Sequence, residues 1–221
     1  MLYYVTHSVL KPLLHLIYRP VIEGAENVPS TGAVLIASNH LSFVDSIVLP
    51  LVSPRRVFYL AKAEYFEGRG LRGIFLRRLF TALGSTPVSR GSGRAALTSL
   101  DASLAFLEDG HAFGIYPEGT RSRDGRLYRG RTGVAWLALT AGCPVIPVGM
   151  IGTDQIQPVG ARLPRVRRVT VRFGKPVTFD HLAGQARSGK ARREATDEIM
   201  DAIAALSGQS RAAEYNEPPA D

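Results

Sequence analysis

Six short β-rich runs, at residues 33–38, 57–61, 86–89, 112–116, 145–149 and 169–173, alternate with segments of helical period at 42–52, 71–83, 94–108, 133–141 and 191–206. A strand–helix alternation of this kind is met by one class of architecture, an α/β sheet with helices laid against it. Two of the runs, Val34-Leu35-Ile36-Ala37 and Val145-Ile146-Pro147-Val148, are apolar without alternation. That is the pattern of strands buried on both faces. The expected fold is therefore α/β, a mostly parallel central sheet covered by helices on both faces, with an N-terminal apolar helical segment. In such sheets ligands collect where strands end and loops or helices begin.

With no internal repeat and no Pro/Gly/Ser linker, the chain divides only at its ends. Residues 1–20 form the apolar segment, 21–207 the folded domain, and 208–221, polar and containing Pro218-Pro219, a tail expected to be disordered. The N-terminal segment lacks the basic start and cleavage site of a signal peptide, and Lys11-Pro12 and His15 interrupt it short of a membrane span. Leu2, Val5, Val9, Leu13 and Leu16 recur at helical spacing, and Pro12 is expected to kink or split the helix. Two readings of that stripe stand: a helix packed on the core, or an anchor lying in a membrane interface.

A net charge of +8 calls for an anionic partner, whether nucleic acid, an acidic membrane or a phosphorylated substrate. The single cysteine, Cys143, excludes an internal disulfide and is expected to be a small core residue.

The candidate chemistry begins at Asn39-His40-Leu41-Ser42-Phe43-Val44-Asp45, directly after a strand. His40 and Asp45, five residues apart, lie about 140° apart on an ideal helix and do not face each other from one. They meet if His40 stays on the turn and Asp45 enters the first helical turn. Ser42-x-x-Asp45 before an apolar run, a capping-box-like start, fits that layout. A carboxylate beside an imidazole fixes its tautomer and raises its basicity, as a general base requires. With no nucleophile alongside, the hydroxyl activated belongs to the substrate. Taken alone, the two residues are equally a helix cap and a structural turn histidine.

Three further blocks follow. Tyr116-Pro117-Glu118-Gly119-Thr120-Arg121-Ser122 ends a strand, with Gly119 permitting close backbone approach and Arg121 offering a planar fork of donors for phosphate. Gly84-Ser85-Thr86-Pro87-Val88-Ser89-Arg90 delivers Arg90 at the end of another. Pro147 inside an apolar run implies an edge, a bulge, or a strand wall against which something packs.

In this order and spacing the four blocks resemble the glycerolipid acyltransferases, above all the 1-acyl-glycerol-3-phosphate acyltransferases, over roughly residues 23–179. Asn-His-x-x-x-x-Asp and Glu-Gly-Thr-Arg carry most of the likeness; Ala61-Lys62-Ala63-Glu64 adds to it, and Ser89 departs from the acid the family often has before its arginine. The resemblance implies that His40 is the general base and Asp45 its partner. It implies that Glu118, Gly119, Thr120 and Arg121 bind the glycerol phosphate, helped by Arg90 and Lys62. It implies transfer from acyl-CoA or an acyl carrier protein thioester to a lysophospholipid hydroxyl, giving phosphatidic acid, with no metal, no cofactor and no acyl-enzyme. Glycerol-3-phosphate, another lysophospholipid or a glycolipid are alternative acceptors, and a non-catalytic protein binding anionic lipid or nucleic acid is a rival class. The acid-free run Arg162, Arg165, Arg167, Arg168, Arg172, Lys175 permits nucleic acid, but no helix-turn-helix or RNP-type motif accompanies it. The expected partner is instead an anionic membrane, on the cytoplasmic face of the cell membrane, bound peripherally. The helical segment at 71–83, with Leu71, Ile74 and Phe75 beside Arg72, Arg77 and Arg78, suits that contact.

Overall fold

The computed structural model describes residues 2–88, 94–158, 161 and 163–217. Seven strands, β1 (Val21–Glu23), β2 (Val34–Ser38), β3 (Val57–Lys62), β4 (Ser85–Val88), β5 (Ala112–Ile115), β6 (Val145–Ile151) and β7 (Thr170–Phe173), form one sheet in the order β1-β7-β6-β2-β5-β3-β4. Every pairing is parallel except β6 with β7. Among the described residues the helices are α1 (Leu2–Tyr18), α2 (Asp45–Val52), α3 (Glu64–Glu67), α4 (Gly70–Ala82), α5 (Arg94–Glu108), α6 (Gly133–Ala141), α7 (Thr153–Ile156) and α8 (Gly189–Ser207).

The unalternating strand pattern has its physical cause in two cores. Val34 and Ile36 of β2 face Leu14 of α1 and Val48, Leu49 and Val52 of α2. Leu35 and Ala37 face the opposite layer, where Val134 and Leu137 of α6 and Ile199 and Ile203 of α8 pack. Gly149 lets α8 come close to β6: a Cβ there would stand 2.7 Å from the backbone of Leu206. The three-residue β1 is too short to show a period in the sequence, and it exists because Val21 to Glu23 pair with Thr170 to Arg172.

Both prolines sit inside their elements: Pro12 does not split α1, and Pro147 is not on an edge strand. α1 runs unbroken through Pro12, an exposed position that forgoes one helix hydrogen bond. Pro147 lies in neither an edge strand nor an unpaired one: β6 is flanked by β2 and β7. The proline is opposite Ala37 on one side, and on the other it accepts the Gly174 N–H just past the end of the β7 ladder, where its missing donor breaks no strand pairing.

The tail expectation, 208–221, is corrected over residues 208–217, and 218–221 lie outside the described residues. Residues 208–217, expected to be disordered, strap across the loop after β5. Leu127 N–H donates to Ser210 O, Ala212 N–H to Leu127 O, and Arg129 N–H to Glu214 O, while Ala212 is buried. The polar composition that suggested disorder instead supplies hydrogen bonds to a basic loop. No helix of the described residues is long and apolar enough to cross a membrane.

Candidate active site

β2 ends at Ser38, and the chain turns away from the sheet at Asn39. The Asn39 side chain substitutes for a strand partner there: its Oδ1 accepts the Met150 N–H at 2.7 Å and its Nδ2 donates to Met150 O at 2.9 Å. The following turn carries His40, and its backbone is held by two buried carboxylates. His40 N–H donates to Glu118 Oε1 at 3.0 Å, and Leu41 and Ser42 N–H donate to Asp45 Oδ2 at 2.7 and 2.8 Å. Asp45 opens α2. Its reach back to Ser42 N–H is half of a capping box, while Ser42 Oγ meets only Val44 N–H, at 3.4 Å.

Asp45 Oδ2 lies 2.8 Å from His40 Nδ1, with the carboxylate fully buried. An ionised carboxylate only accepts, so Nδ1 carries the proton and Nε2 keeps the lone pair. The imidazole also stacks on the Tyr116 ring, with centroids 3.9 Å apart and planes 10° from parallel, and the Tyr116 hydroxyl is 3.2 Å from Ser46 Oγ. A ring clamped on one face and hydrogen-bonded at one nitrogen presents the other nitrogen in a fixed direction. This contact was not read from the sequence. Its only signal was an aromatic residue before Pro117 at the end of a strand.

Glu118 is fully buried beneath the turn, and its second oxygen accepts Tyr128 N–H at 2.9 Å. Burial pushes its carboxyl up to about 7, against the two backbone donors that favour the anion. Enclosed in this way, both carboxylate oxygens hold backbone, that of His40 and that of the loop after β5. Gly119 adopts φ +79°, which only glycine takes without strain, and its N–H closes a turn on Tyr116 O at 3.0 Å. Ser122 N–H to His40 O, 2.8 Å, ties the same loop to the histidine.

The loop's five arginines divide into two groups. Arg126 pairs with Asp124 at 2.7 Å, holding that carboxyl well below its usual range, and with Glu214 at 3.1 Å. Arg131 meets Glu217 at 3.4 Å, and Arg129 and Arg131 lie over the Tyr215 ring. Arg121 and Arg123 are exposed and, among the described residues, pair with no acid. Arg123 lines a cleft of about 330 Å³ with Leu41, Asp124, Asp154 and Gln157. Thr120 is half-buried between Gly119 and Arg121. Gln209 of the strap joins both halves of the site, accepting from Asn39 Nδ2 at 2.6 Å and donating to Gly125 O at 2.8 Å.

Lys62 ends β3 opposite Val88, one strand beyond β5 from the site; its side chain and the whole of Arg90 lie outside the described residues. Burial pushes the Cys143 thiol up to about 11, so it is a protonated core residue at neutral pH. Among the described residues no cluster of three or more His, Cys, Asp or Glu side chains is placed to hold a metal ion.

An imidazole oriented by a buried carboxylate at a strand end, with unpaired arginines on the adjoining loop, can deprotonate a hydroxyl on an anionic substrate. This is the chemistry of a group-transfer enzyme without a side-chain nucleophile. The family model of the acyltransferases matches residues 19–151, and the chain belongs to that family. A chloroplastic 1-acyl-sn-glycerol-3-phosphate acyltransferase of Arabidopsis thaliana is 33% identical over 77% of this chain and 48% of its own length. The 1-acyl-sn-glycerol-3-phosphate acyltransferase of Bacillus subtilis is 28% identical over 81% of this chain and 86% of its own. The crystal structure of the 1-acyl-sn-glycerophosphate acyltransferase PlsC from Thermotoga maritima matches with TM-score 0.67 at 26% identity, over 90% of this chain and 76% of that one. The chain spans about half the length of the plant relatives it matches.

Proposed function

We propose that this protein transfers a fatty acyl group from an acyl-CoA or acyl carrier protein thioester to the free hydroxyl of 1-acyl-glycerol-3-phosphate, giving phosphatidic acid. The observation that carries the reading is the buried His40–Asp45 pair at 2.8 Å on a turn tied to the Arg121 loop. His40 Nε2 takes the hydroxyl proton as the oxygen attacks the thioester carbonyl. The carbon–sulfur bond then breaks, and the departing thiolate takes up the proton held by the imidazolium. Arg121, exposed and unpaired among the described residues, holds the acceptor phosphate. The names of the relatives in Arabidopsis and Bacillus support this acceptor. The deciding experiment incubates the purified protein with a panel of lysophospholipids, glycerol-3-phosphate and both donor types, reading products by mass spectrometry.

Removing the Arg121 guanidinium by Arg121→Ala is expected to cost about 1.5 to 3 kcal/mol of phosphate binding, roughly a 10- to 150-fold rise in KM for lysophosphatidate, with kcat and melting temperature nearly unchanged. Steady-state kinetics with KM and kcat both at wild-type values would remove Arg121 from the site.

Both substrates carry acyl chains, so the enzyme works at a lipid surface, and we assign it peripherally to the cytoplasmic face of the cell membrane, whose anionic lipids suit its charge. α1 and α4 support this: Val5 and Val9 with Leu71 and Phe75 line an apolar groove of about 430 Å³, with Arg78 in its wall. Phe75 is 63% exposed and Leu71 88%. Because Leu14 on the same helix is buried in the core, substitution probes this face more cleanly than deletion. Val9→Glu with Phe75→Glu is expected to weaken binding to anionic vesicles at least about tenfold while preserving the fold. Co-sedimentation indifferent to both the substitutions and added salt would count against the assignment.

A further inference from the structure

The run of arginines between Arg162 and Arg168, which the site does not use, has a definite setting in the fold. β7 begins at Thr170, which pairs with Ile151 at the end of β6 and with Val21 at the start of β1. β6 runs parallel to β2, and β2 ends one turn before His40. The segment leading into β7 therefore lies along the same sheet edge as the catalytic turn. The exposed Leu16 near the end of α1 is delivered to that edge too, because Val21 N–H bonds Val169 O at 2.9 Å.

The segment is held midway at Arg165 and at its C-terminal end by Val169. Arg165 N–H donates to Ile156 O at 2.7 Å, and Val169 is wholly buried. All six residues from 163 to 168 are exposed, Leu163 at 79% and Val166 at 64%. No acid occurs from Ala161 until Asp180. Arg172 is paired with Glu23, but among the described residues Arg165, Arg167 and Arg168 pair with no acid. A fixed loop that holds aliphatic tips and cations out into solvent buries neither unless a partner arrives.

We propose that residues 163–168 form a second lipid-surface contact, with Leu163 and Val166 entering the headgroup–acyl boundary and Arg165, Arg167 and Arg168 binding lipid phosphates. The charge calls for an anionic surface, and the interleaved aliphatic side chains choose among anionic surfaces. They gain nothing on a phosphodiester backbone, whereas a membrane interface takes both kinds of group at once. Docked this way, the sheet edge bearing His40 faces the bilayer, and an acceptor reaches the histidine without its acyl chain crossing water. The inference rests on the reading that the substrates are lipids drawn from a membrane.

The test compares the full chain with Arg165→Gln/Arg167→Gln/Arg168→Gln and with Leu163→Ser/Val166→Ser. The probe is phosphatidylcholine vesicles with and without phosphatidylserine. The triple variant is expected to lose about one to two orders of magnitude in affinity for the anionic vesicles and little for the neutral ones. Turnover of a short-chain, monomeric lysophosphatidate should be unchanged in both variants, as should the melting temperature. In Leu163→Trp, brominated lipids should quench the new fluorescence above that from Trp136. Wild-type affinity for anionic vesicles in the triple variant overturns the proposal, as does unquenched fluorescence. So does a loss of affinity for duplex DNA in place of vesicles, which would make the run a nucleic-acid contact. Should the wild type turn over no lysophosphatidate, the functional reading fails, while the vesicle and quenching arms still decide this one.

Discussion

Replacing His40 by alanine is expected to lower kcat/KM by about 10²- to 10⁴-fold, the range for loss of a positioned general base. The companion substitution, Asp45→Asn, is unusually clean here because one oxygen of the carboxylate does all the work. Oδ2 accepts from His40 Nδ1, Leu41 N–H and Ser42 N–H, while Oδ1 is buried and finds no partner among the described residues. An amide with its oxygen in the Oδ2 position keeps all three bonds, the turn and the imidazole tautomer, and puts its NH₂ where nothing was bonded. What it loses is the negative charge beside the imidazolium that forms as the substrate proton is taken. Turnover should fall by roughly 10- to 10³-fold from that loss alone, with melting temperature close to wild type. Kinetics and thermal melts on both variants make the check. A folded His40→Ala protein at near-wild-type turnover would sink the catalytic assignment, and a silent Asp45→Asn would reduce Asp45 to a helix cap.

Glu118→Gln is expected to lower kcat by roughly 10- to 100-fold while leaving KM for the acceptor nearly unchanged, since displacing a catalytic group by even about 1 Å has costs of that size. The amide keeps one acceptor and turns an NH₂ against the second of the two N–H groups, from His40 and Tyr128, that the carboxylate now receives. A substrate-binding Glu118 would give the opposite pattern, a higher KM with kcat intact. Stability supplies an independent readout. The folded carboxyl is raised by burial from its ordinary 4.5 to about 7, so the native state binds the proton more tightly than the unfolded chain. Glu118 therefore contributes stability fully present below about pH 4.5 and lost as pH rises toward 7. The wild type should lose roughly 2 to 4 kcal/mol relative to Glu118→Gln across that window. Parallel denaturation curves at every pH would show that the carboxyl is not held this way.

The contact between His40 and Asp45 was legible because its logic is local. His40 and Asp45 lie on one turn, and a strand end followed by a Ser-x-x-Asp start dictates how that turn is made. The role of Glu118 was not legible, since the sequence gives its distance from His40 as 78 positions, and only the adjacency of β2 and β5 in the sheet closes it to a 3.0 Å hydrogen bond. Arg121 was picked out by its place in Glu-Gly-Thr-Arg at a strand end, and four more arginines follow it by residue 131. Arg126 pairs with Asp124 of its own loop, but the other partners, Glu214, Tyr215 and Glu217, come from a strap that its composition marked as disordered.

By itself the sequence determined the α/β class, because unalternating strands and amphipathic helices have no other common way to bury their apolar surface. It also determined which imidazole and which carboxylate come together on the turn after β2. The tertiary structure alone decided what each group touches: the Tyr116 ring stacked on His40, the buried Glu118 under the turn, and Gln209 bridging Asn39 to the arginine loop. These contacts join residues tens to hundreds of positions apart. No local propensity encodes them, and they exist only because a parallel sheet brings the ends of distant strands to one edge.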